Sequence, residues 1–202
     1  SIQIQRGIGT ALYGTSGIGG VINLQTINYF DHSFLNVNAG YGDYNSRRYS
    51  FEYSSGVTNG GFGFYGKLSK TTSDGYRNLS WSDHWAYFLS AGKTLGSNSV
   101  VKFNVYGSPI KNHLAYLGVT KDYLEGKVTG DAREDRKYNF LNYENETDNY
   151  HQPHYELVFN TQASKNVYVS NTFNYTRGEG YFITNFPVYY GYDFSYFRLN
   201  PF

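Results

Sequence analysis

Residues 33–42 read Ser-Phe-Leu-Asn-Val-Asn-Ala-Gly-Tyr-Gly, and within this stretch Leu35, Val37, Ala39 and Tyr41 occupy every second position. Asparagine and glycine fill the positions between them. Successive side chains of an extended strand point to opposite faces, so this alternation predicts a β-strand with one apolar and one polar face.

The same period-two alternation recurs along the chain. Six further runs show it: residues 49–57, 62–68, 85–91, 101–105, 155–159 and 167–175. With the first run they predict about seven strands, each of roughly 8 to 11 residues, which is long for a soluble sheet and suits a tilted strand that crosses a bilayer. The mean hydropathy of −0.55 does not oppose this, because only alternate residues of such a strand face lipid. The sequence therefore predicts an all-β fold, an antiparallel transmembrane β-barrel.

The predicted connections alternate in length. Short turns are expected at residues 57–61, 95–99 and 164–166, whereas residues 107–152 and the chain from 177 onward are long. Outer-membrane barrels have short periplasmic turns and long extracellular loops, so we expect the long segments to be extracellular. We expect residues 107–152 to form a functional loop without regular secondary structure.

Composition excludes several classes of function. The 17 Lys and Arg are offset by 16 Asp and Glu, so no concentrated basic face is available for a nucleic acid. No cysteine is present, which excludes disulfides and thiolate metal sites. Neither an HExxH nor a GxSxG pattern occurs, so we expect no enzyme activity and no cofactor. His151 and His154 are three apart on an extended chain and should point to opposite faces, so we expect no metal site there.

The first 26 residues differ from the strand pattern and are rich in glycine. They contain Gln-Arg-Gly-Ile-Gly-Thr at 5–10, Ala-Leu-Tyr-Gly at 11–14 and Gly-Gly-Val-Ile-Asn-Leu-Gln-Thr at 19–26. This resembles the closing motif of the plug domain of TonB-dependent outer-membrane receptors, with Ile8 where proline is usual. The residues that carry the plug motif are Arg6, Gly7, Tyr13, Gly14, Gly19, Gly20 and Asn23. The runs at 148–155 and 175–181 further resemble receptors of the Bacteroidota type.

The resemblance implies a barrel of about 22 strands closed by an N-terminal plug, in the bacterial outer membrane. Residues 1–30 would be the C-terminal end of the plug and residues 31–202 the N-terminal part of the barrel. Seven strands alone would leave two unpaired edges in lipid, so we expect this chain to be a fragment whose barrel is completed by more of the same polypeptide. The implied partners are the TonB complex, reached through the missing N-terminal part, outer-membrane lipid and lipopolysaccharide, and a small-molecule nutrient.

The function implied by the resemblance is TonB-dependent, energised import of a scarce nutrient, with a ferric siderophore or another iron chelate as the first choice. Haem, a corrinoid or an oligosaccharide are alternative ligands. A passive porin is an alternative from another class, although it would not need the plug motif. A soluble aromatic-rich β-sandwich for adhesion or glycan binding is a third reading, which strand length and loop asymmetry oppose.

Aromatic residues of the two long loops are the predicted ligand-binding residues, because tyrosine combines rigid apolar area with a hydroxyl group. They are His113, Tyr116, Tyr123, Tyr181, Phe182, Phe186, Tyr189, Tyr190 and Tyr192. The alternative is an interfacial aromatic girdle, which also concentrates these residue types at strand ends. Arg6 is expected to form a structural ion pair inside the lumen or, alternatively, a latch that opens when TonB pulls. The charged run at 131–137 is expected to be a solvated loop face, with lipopolysaccharide contact as its alternative.

Overall fold

A computed structural model describes residues 2–7, 19–24 and 32–185 of the chain. A sheet of ten antiparallel strands dominates it. Its strands are β3 (Ser33–Gly42), β4 (Ser46–Val57), β5 (Phe62–Ser73), β6 (Ser82–Leu95), β7 (Ser99–Gly107), β8 (Ile110–His113), β9 (Thr147–His151), β10 (His154–Ser164), β11 (Val167–Thr176) and β12 (Glu179–Ile183). Before it, β1 (Ile2–Arg6) and β2 (Gly20–Leu24) pair antiparallel as a separate two-stranded sheet. The predicted all-β antiparallel architecture is confirmed.

Seven long strands form the main path of the sheet, in the order β11-β10-β7-β6-β5-β4-β3. They match the seven alternating runs of the sequence, and the short turns predicted at 57–61, 95–99 and 164–166 connect them as expected. The seven strands have between 9 and 14 residues. The longest of them therefore exceed the length that the alternation predicted. The additional residues lie at the strand ends, where polar residues such as Asp83 and Lys93 of β6 occupy positions of the apolar series.

The two faces of the sheet differ in chemistry. One face carries exposed apolar side chains such as Leu35, Phe51, Leu89 and Phe103, which are 59%, 50%, 54% and 48% exposed. The opposite face carries buried polar groups, including Glu52. An apolar face this large and this exposed suits a hydrocarbon environment, whereas the polar face suits a lumen.

The expectation that residues 107–152 lack regular structure was wrong. β8 and β9 lie within that segment, and β12 lies in the segment after residue 177. β8 pairs with β6 beyond the end of β7. β9 pairs with β8, and β12 pairs with β9. The alternation is interrupted at Pro109 and Pro153, which have no N–H group to donate to a neighbouring strand, and this interruption hid the strands.

Helix is scarce in the described residues. α1 (Lys121–Leu124) and α2 (Ala132–Asp135) are single turns in the connection between β8 and β9. Asp131 caps α2, because its side chain accepts a hydrogen bond from the backbone N–H of Arg133 at 2.8 Å. None of the helices in the described part of the chain is long and apolar enough to cross a membrane.

The β1–β2 pair contains most of the described part of the glycine-rich motif. Arg6 lies opposite Gly20, and the N–H of Gly7 donates to the carbonyl of Gly19 at 3.1 Å. Gly20 has φ +151°, and a Cβ atom there would lie 2.6 Å from the carbonyl oxygen of Gln5. Only glycine therefore permits this approach of the two strands. The division into a plug end at 1–30 and a barrel part at 31–202 stays a prediction.

Candidate functional site

The long connections meet at one end of the sheet. Because the strands are antiparallel, the turns 58–61, 96–98 and 165–166 lie at one end of the sheet. The connection 74–81 and the connection between β7 and β10 lie at the other end, together with the short turn 43–45. Within the second connection, residues 114–146 fold into a compact unit on the strand ends, which we call the cap. Its position is that predicted for the extracellular side.

The cap has a small buried centre. Leu114 and Leu141 are 5% and 4% exposed. Between them lies Asn139, 1% exposed, whose amide nitrogen donates to the carbonyl of Leu114 at 3.0 Å and whose amide oxygen accepts from the N–H of Leu141 at 3.2 Å. A buried amide with both ends bonded holds two chain segments together at little desolvation cost.

One arginine from the neighbouring connection anchors the cap to the sheet. The guanidinium of Arg77 donates from Nε to the carbonyl of Tyr138 at 3.0 Å and from Nη1 to the carbonyls of Ala115 and Leu117 at 2.9 and 2.7 Å. The backbone N–H of Asn78 also donates to the carbonyl of Lys137 at 2.7 Å. The planar fork of arginine thus binds both the beginning and the end of the cap in one place.

An apolar cleft of about 440 Å³ opens in the cap. Its walls are Leu117, Gly118, Val119, Thr120, Tyr123, Tyr138 and Phe140. Tyr123 and Tyr138 stack with ring centroids 4.3 Å apart and 16° between the planes. Burial, followed by the neighbouring Tyr138, raises the pKa of Tyr123 above its usual value. The volume and the apolar, aromatic lining are those of small-molecule sites.

A buried carboxylate stabilises the connection from α1 to α2, which follows the cleft residue Tyr123 in the chain. Asp135 is 2% exposed and accepts hydrogen bonds from Thr129 Oγ1 at 2.7 Å and from the N–H groups of Val128 and Thr129 at 3.0 and 3.2 Å. Burial acts to raise the pKa of Asp135, but these hydrogen bonds to the ionised form outweigh it, and the pKa lies below its usual value. The charged run at 131–137 is thus only partly a solvated face.

The structure separates the predicted ligand-binding residues into groups. Tyr123 lines the cleft. Tyr116 is 72% exposed and directly precedes the cleft residue Leu117 in the chain. His113 is 4% exposed, with Nδ1 and Nε2 at 3.0 and 2.9 Å from the carbonyl oxygens of Leu114 and Tyr143, so it holds the base of the cap and presents no surface to a ligand.

The predicted aromatic residues of the last long segment are only partly described. Tyr181 and Phe182 are 61% and 68% exposed on β12, and as strand neighbours they point to opposite faces. Phe186, Tyr189, Tyr190 and Tyr192 lie outside the described residues.

Sequence reasoning did not select Tyr138, Phe140 or Arg77. Tyr138 and Phe140 could have been selected by the criterion that selected Tyr123, because they are aromatic residues of the same long connection. Arg77 had no such signal, because its three acceptors are backbone carbonyls of residues 38 to 61 positions away.

The plug motif is described only in part. Arg6 is exposed, and none of the described residues forms an ion pair with it, so its ion pair and its latch role stay predictions. Gly7, Gly19 and Gly20 lie where β1 and β2 meet, and Asn23 lies in β2. Tyr13 and Gly14 fall outside the described residues.

Histidine and carboxylate side chains do not converge on a metal site within residues 2–7, 19–24 and 32–185. His151 Nε2 lies 3.1 Å from the hydroxyl of Tyr87, whereas the ring of His154 stacks on Tyr106. The two side chains thus have separate neighbours.

Comparison with known proteins gives a likeness among solved structures but not among family models or curated proteins. No protein-family model matches the chain, and no curated protein matches it. Among solved structures, the chain is similar to the ferric-catecholate import receptor Fiu from E. coli K12 in its open form, with a TM-score of 0.71 and 15% sequence identity. The likeness covers 91% of this chain and 29% of that receptor, so the chain spans less than a third of its length. The likeness shows the fold alone: the chain has the antiparallel β-sheet fold of part of that receptor.

Proposed function

We propose that this chain belongs to a transporter that imports an iron chelate across the bacterial outer membrane with energy delivered through TonB. The observation that carries the proposal is the apolar cleft of about 440 Å³ in the cap, on the loop side of a sheet whose fold matches a ferric-catecholate import receptor. In this proposal residues 1–30 end the plug, residues 31–202 begin the barrel, and the role is transport without enzymatic chemistry.

The composition of the cleft supports capture of a bulky ligand. The stacked Tyr123 and Tyr138 offer a rigid flat surface that loses little conformational entropy when a ligand binds. Phe140 and Leu117 extend the apolar wall. A large chelate with an organic outer surface would gain affinity from burial in such a cleft, with few polar contacts to fix its orientation.

The two-faced sheet supports the membrane part of the proposal. Its exposed apolar face would contact lipid, and lipopolysaccharide would surround the cap end. The β1–β2 pair and its glycine-rich sequence support a plug that occupies the lumen and makes transport depend on energy. A passive porin would share the sheet but would not need a cleft or a plug.

Uptake measurements test the proposal. The gene that encodes the complete polypeptide is expressed in a bacterial host that lacks its own ferric chelate receptors, and uptake of ⁵⁵Fe supplied as catecholate, hydroxamate or citrate complexes is measured with and without functional TonB. We expect saturable uptake of at least one chelate that disappears without TonB. Uptake that persists without TonB would indicate a porin, and no uptake of any iron chelate would refute the iron assignment.

A further inference from the structure

A groove of about 390 Å³ lies on the exposed apolar face of the sheet, across strands β3 to β6. One row of its wall consists of Ala39, Tyr49, Lys70 and Trp85, which are in register on these four strands. Ala39 contributes only a methyl group to the row, which leaves a depression beside the larger side chains. The row lies at the end of the sheet that carries the cap, since Lys70 and Trp85 flank the connection 74–81. We call this depression the outer groove.

The wall of the outer groove is almost wholly apolar. Tyr49, Phe51, Leu68 and Trp85 contribute rings and aliphatic carbon to it, and all four are exposed. Among the described residues of its wall, Lys70 alone is charged. A hydrocarbon chain suits such a surface, whereas a charge at its edge requires a polar or ionic partner.

Two neighbours hold the ammonium group of Lys70 at the edge of the groove. Its Nζ lies 4.6 Å from the centroid of the Trp85 ring, within the range of a cation–π contact. It also donates a hydrogen bond to Oδ1 of Asp83. An ammonium group has three donors, so Lys70 can donate to a further acceptor while it keeps the contact with Asp83.

Positive charge continues beyond Lys70 in the next row toward the cap. In that row Arg47 pairs with Thr72, Thr72 with Asp83, and Asp83 with Lys111. Arg47 and Lys111 are exposed, and none of the ion pairs among the described residues engages either of them. Three cations therefore stand beside one carboxylate, and the cap-side edge of the groove has an excess of positive charge. That excess is complementary to an anionic headgroup.

We propose that the outer groove is a binding site for a lipid with a phosphate headgroup. The acyl chain lies against Ala39, Tyr49 and Phe51, and the phosphate accepts hydrogen bonds from Lys70 and Arg47. The inference rests on the proposed function, because the cap end then faces the outside of the cell, where the phosphorylated lipid is the lipid A part of lipopolysaccharide. It goes beyond general contact between the apolar face and lipid, because it assigns one lipid to one place.

Aromatic residues and lysines also collect at both interfaces of a membrane protein without forming a specific site. The opposite end of β6 shows such an arrangement. Lys93 lies on the same face, with its Nζ 4.5 Å from the centroid of the Phe62 ring. In its row it pairs with Phe62 and Val101, and Lys93 is the only charged residue among these three. The cap end differs because it combines a lysine and a ring with a groove and with further unpaired cations.

The test measures lipid binding to the complete polypeptide, purified in a non-ionic detergent. Native mass spectrometry counts the lipid molecules that each protein molecule retains at a series of lipid concentrations. The probes are diphosphoryl lipid A and the same lipid after removal of its phosphates. We expect the unaltered protein to bind one molecule of the phosphorylated form at least about tenfold more tightly than the dephosphorylated form, because charge-assisted hydrogen bonds to phosphate are lost with the phosphates.

Three variants alter the two parts of the site separately. Lys70→Gln and Arg47→Gln each remove a charge and should weaken binding of diphosphoryl lipid A by about three- to tenfold, since the groups are partly exposed. Ala39→Leu fills the groove without a change of charge and should weaken binding of both probes by at least about threefold.

Two residues of the same face supply matched controls. Lys93→Gln removes the lysine against Phe62, and Ala91→Leu enlarges an exposed alanine that is not part of the groove wall. Neither should alter binding. Thermal unfolding identifies any variant that fails to fold, and Arg47→Gln, at an exposed position without an ion pair, still tests the site if Lys70→Gln does not fold. Equal affinity for the two probes, or equal effects of Lys70→Gln and Lys93→Gln, would overturn the proposal. Dimers of the protein that Ala39→Leu abolishes would assign the groove to a second copy and also overturn it.

Uptake of ⁵⁵Fe chelates by cells that express the same variants separates this inference from the proposed function. TonB-dependent uptake by a protein that does not distinguish the two lipid probes would preserve iron transport and refute the lipid site. Preference for diphosphoryl lipid A that depends on Lys70 and Ala39, in a protein that takes up no iron chelate, would support the lipid site and refute the iron assignment.

Discussion

The carboxylate of Glu146 and the hydroxyl of Thr184 are joined by a hydrogen bond of 2.8 Å, although 38 residues separate them in the chain. The same oxygen, Oε1, accepts from the N–H of Asn185 at 2.9 Å, and Oε2 accepts from the N–H of Tyr143 at 3.2 Å. Glu146 is fully buried. It therefore connects the end of the cap to the segment that follows β12, the two long connections on which ligand capture was predicted.

Replacement of Glu146 by alanine should release that connection. The change leaves the donors of Thr184, Asn185 and Tyr143 without their acceptor, and unmade hydrogen bonds to a charged group cost on the order of 2 kcal/mol. Hydrogen exchange measured by mass spectrometry should accelerate by about 30-fold in peptides that contain residues 143 and 185. Glu144→Ala, at an exposed neighbouring position, is the control. Equal protection in both variants would contradict a connecting role for Glu146.

Loss of the Arg77 side chain should loosen the cap without unfolding the sheet. Three carbonyl groups of the cap lose their donor in Arg77→Ala, whereas no strand pairing involves that residue. Limited trypsin digestion should cut within residues 115–138 at least about tenfold faster, because opening of the cap becomes easier by more than 1 kcal/mol. Arg48→Ala removes an exposed arginine outside the cap and should not alter the rate of cleavage within residues 115–138. An unchanged cleavage rate in Arg77→Ala would show that the cap folds without this anchor.

Ligand binding should depend on the stacked tyrosines of the cleft. Tyr123→Ala or Tyr138→Ala removes half of the stacked pair, and we expect the affinity for the iron chelate of the proposed function to fall at least about tenfold, as for other aromatic anchors. Tyr143→Ala is a suitable control, since Tyr143 is 52% exposed in the cap and is not part of the cleft wall. Isothermal titration of the purified protein measures the effect. Equal losses at positions 123 and 143 would place the binding site elsewhere.

The cap should remain ordered at neutral and mildly acidic pH and loosen only in strong acid. Because hydrogen bonds hold the pKa of Asp135 below its usual value of 3.8, its contribution to stability is complete above that pH and is lost as the pH falls through the lower, folded value. Asp135→Asn should produce the acid-like loosening at pH 7. Hydrogen exchange at residues 128–129, corrected for the intrinsic pH dependence, measures both effects, with Asp122→Asn as the exposed control. Loosening that begins near pH 6 would contradict this assignment.

A charge on the apolar face should show how deeply the sheet lies in a membrane. Leu89 lies near the middle of β6, and Leu95 ends the same strand on the same face. Arginine at a bilayer midplane costs about 2 to 4 kcal/mol, against about 0 to 1 near an interface. Leu89→Arg should therefore lower the free energy of unfolding of the full chain in lipid vesicles by that larger amount, and Leu95→Arg should have little effect. Equal costs would favour a soluble sheet.

The sequence by itself determined the seven long strands, their two faces and the short turns between them. Alternation is a local property: Leu35 and Val37 face one way because adjacent residues of any strand diverge, whatever the rest of the chain does. The glycine-rich start was equally readable, since the requirement for glycine at position 20 arises within a single pair of strands.

Only the tertiary structure decided what the long connections do. β8 forms because β6 extends beyond Pro109 and pairs with it, and β9 in turn pairs with β8, which alternation could not reveal. The cleft depends on Arg77, which reaches a carbonyl 61 residues away, and the cap is tied to Thr184 through Glu146 across 38 residues. Such contacts depend on where distant segments meet in space. His113 and Tyr123 are both aromatic residues of the same long connection, but His113 is buried against backbone carbonyls and Tyr123 lines a cleft, and the sequence could not distinguish the two.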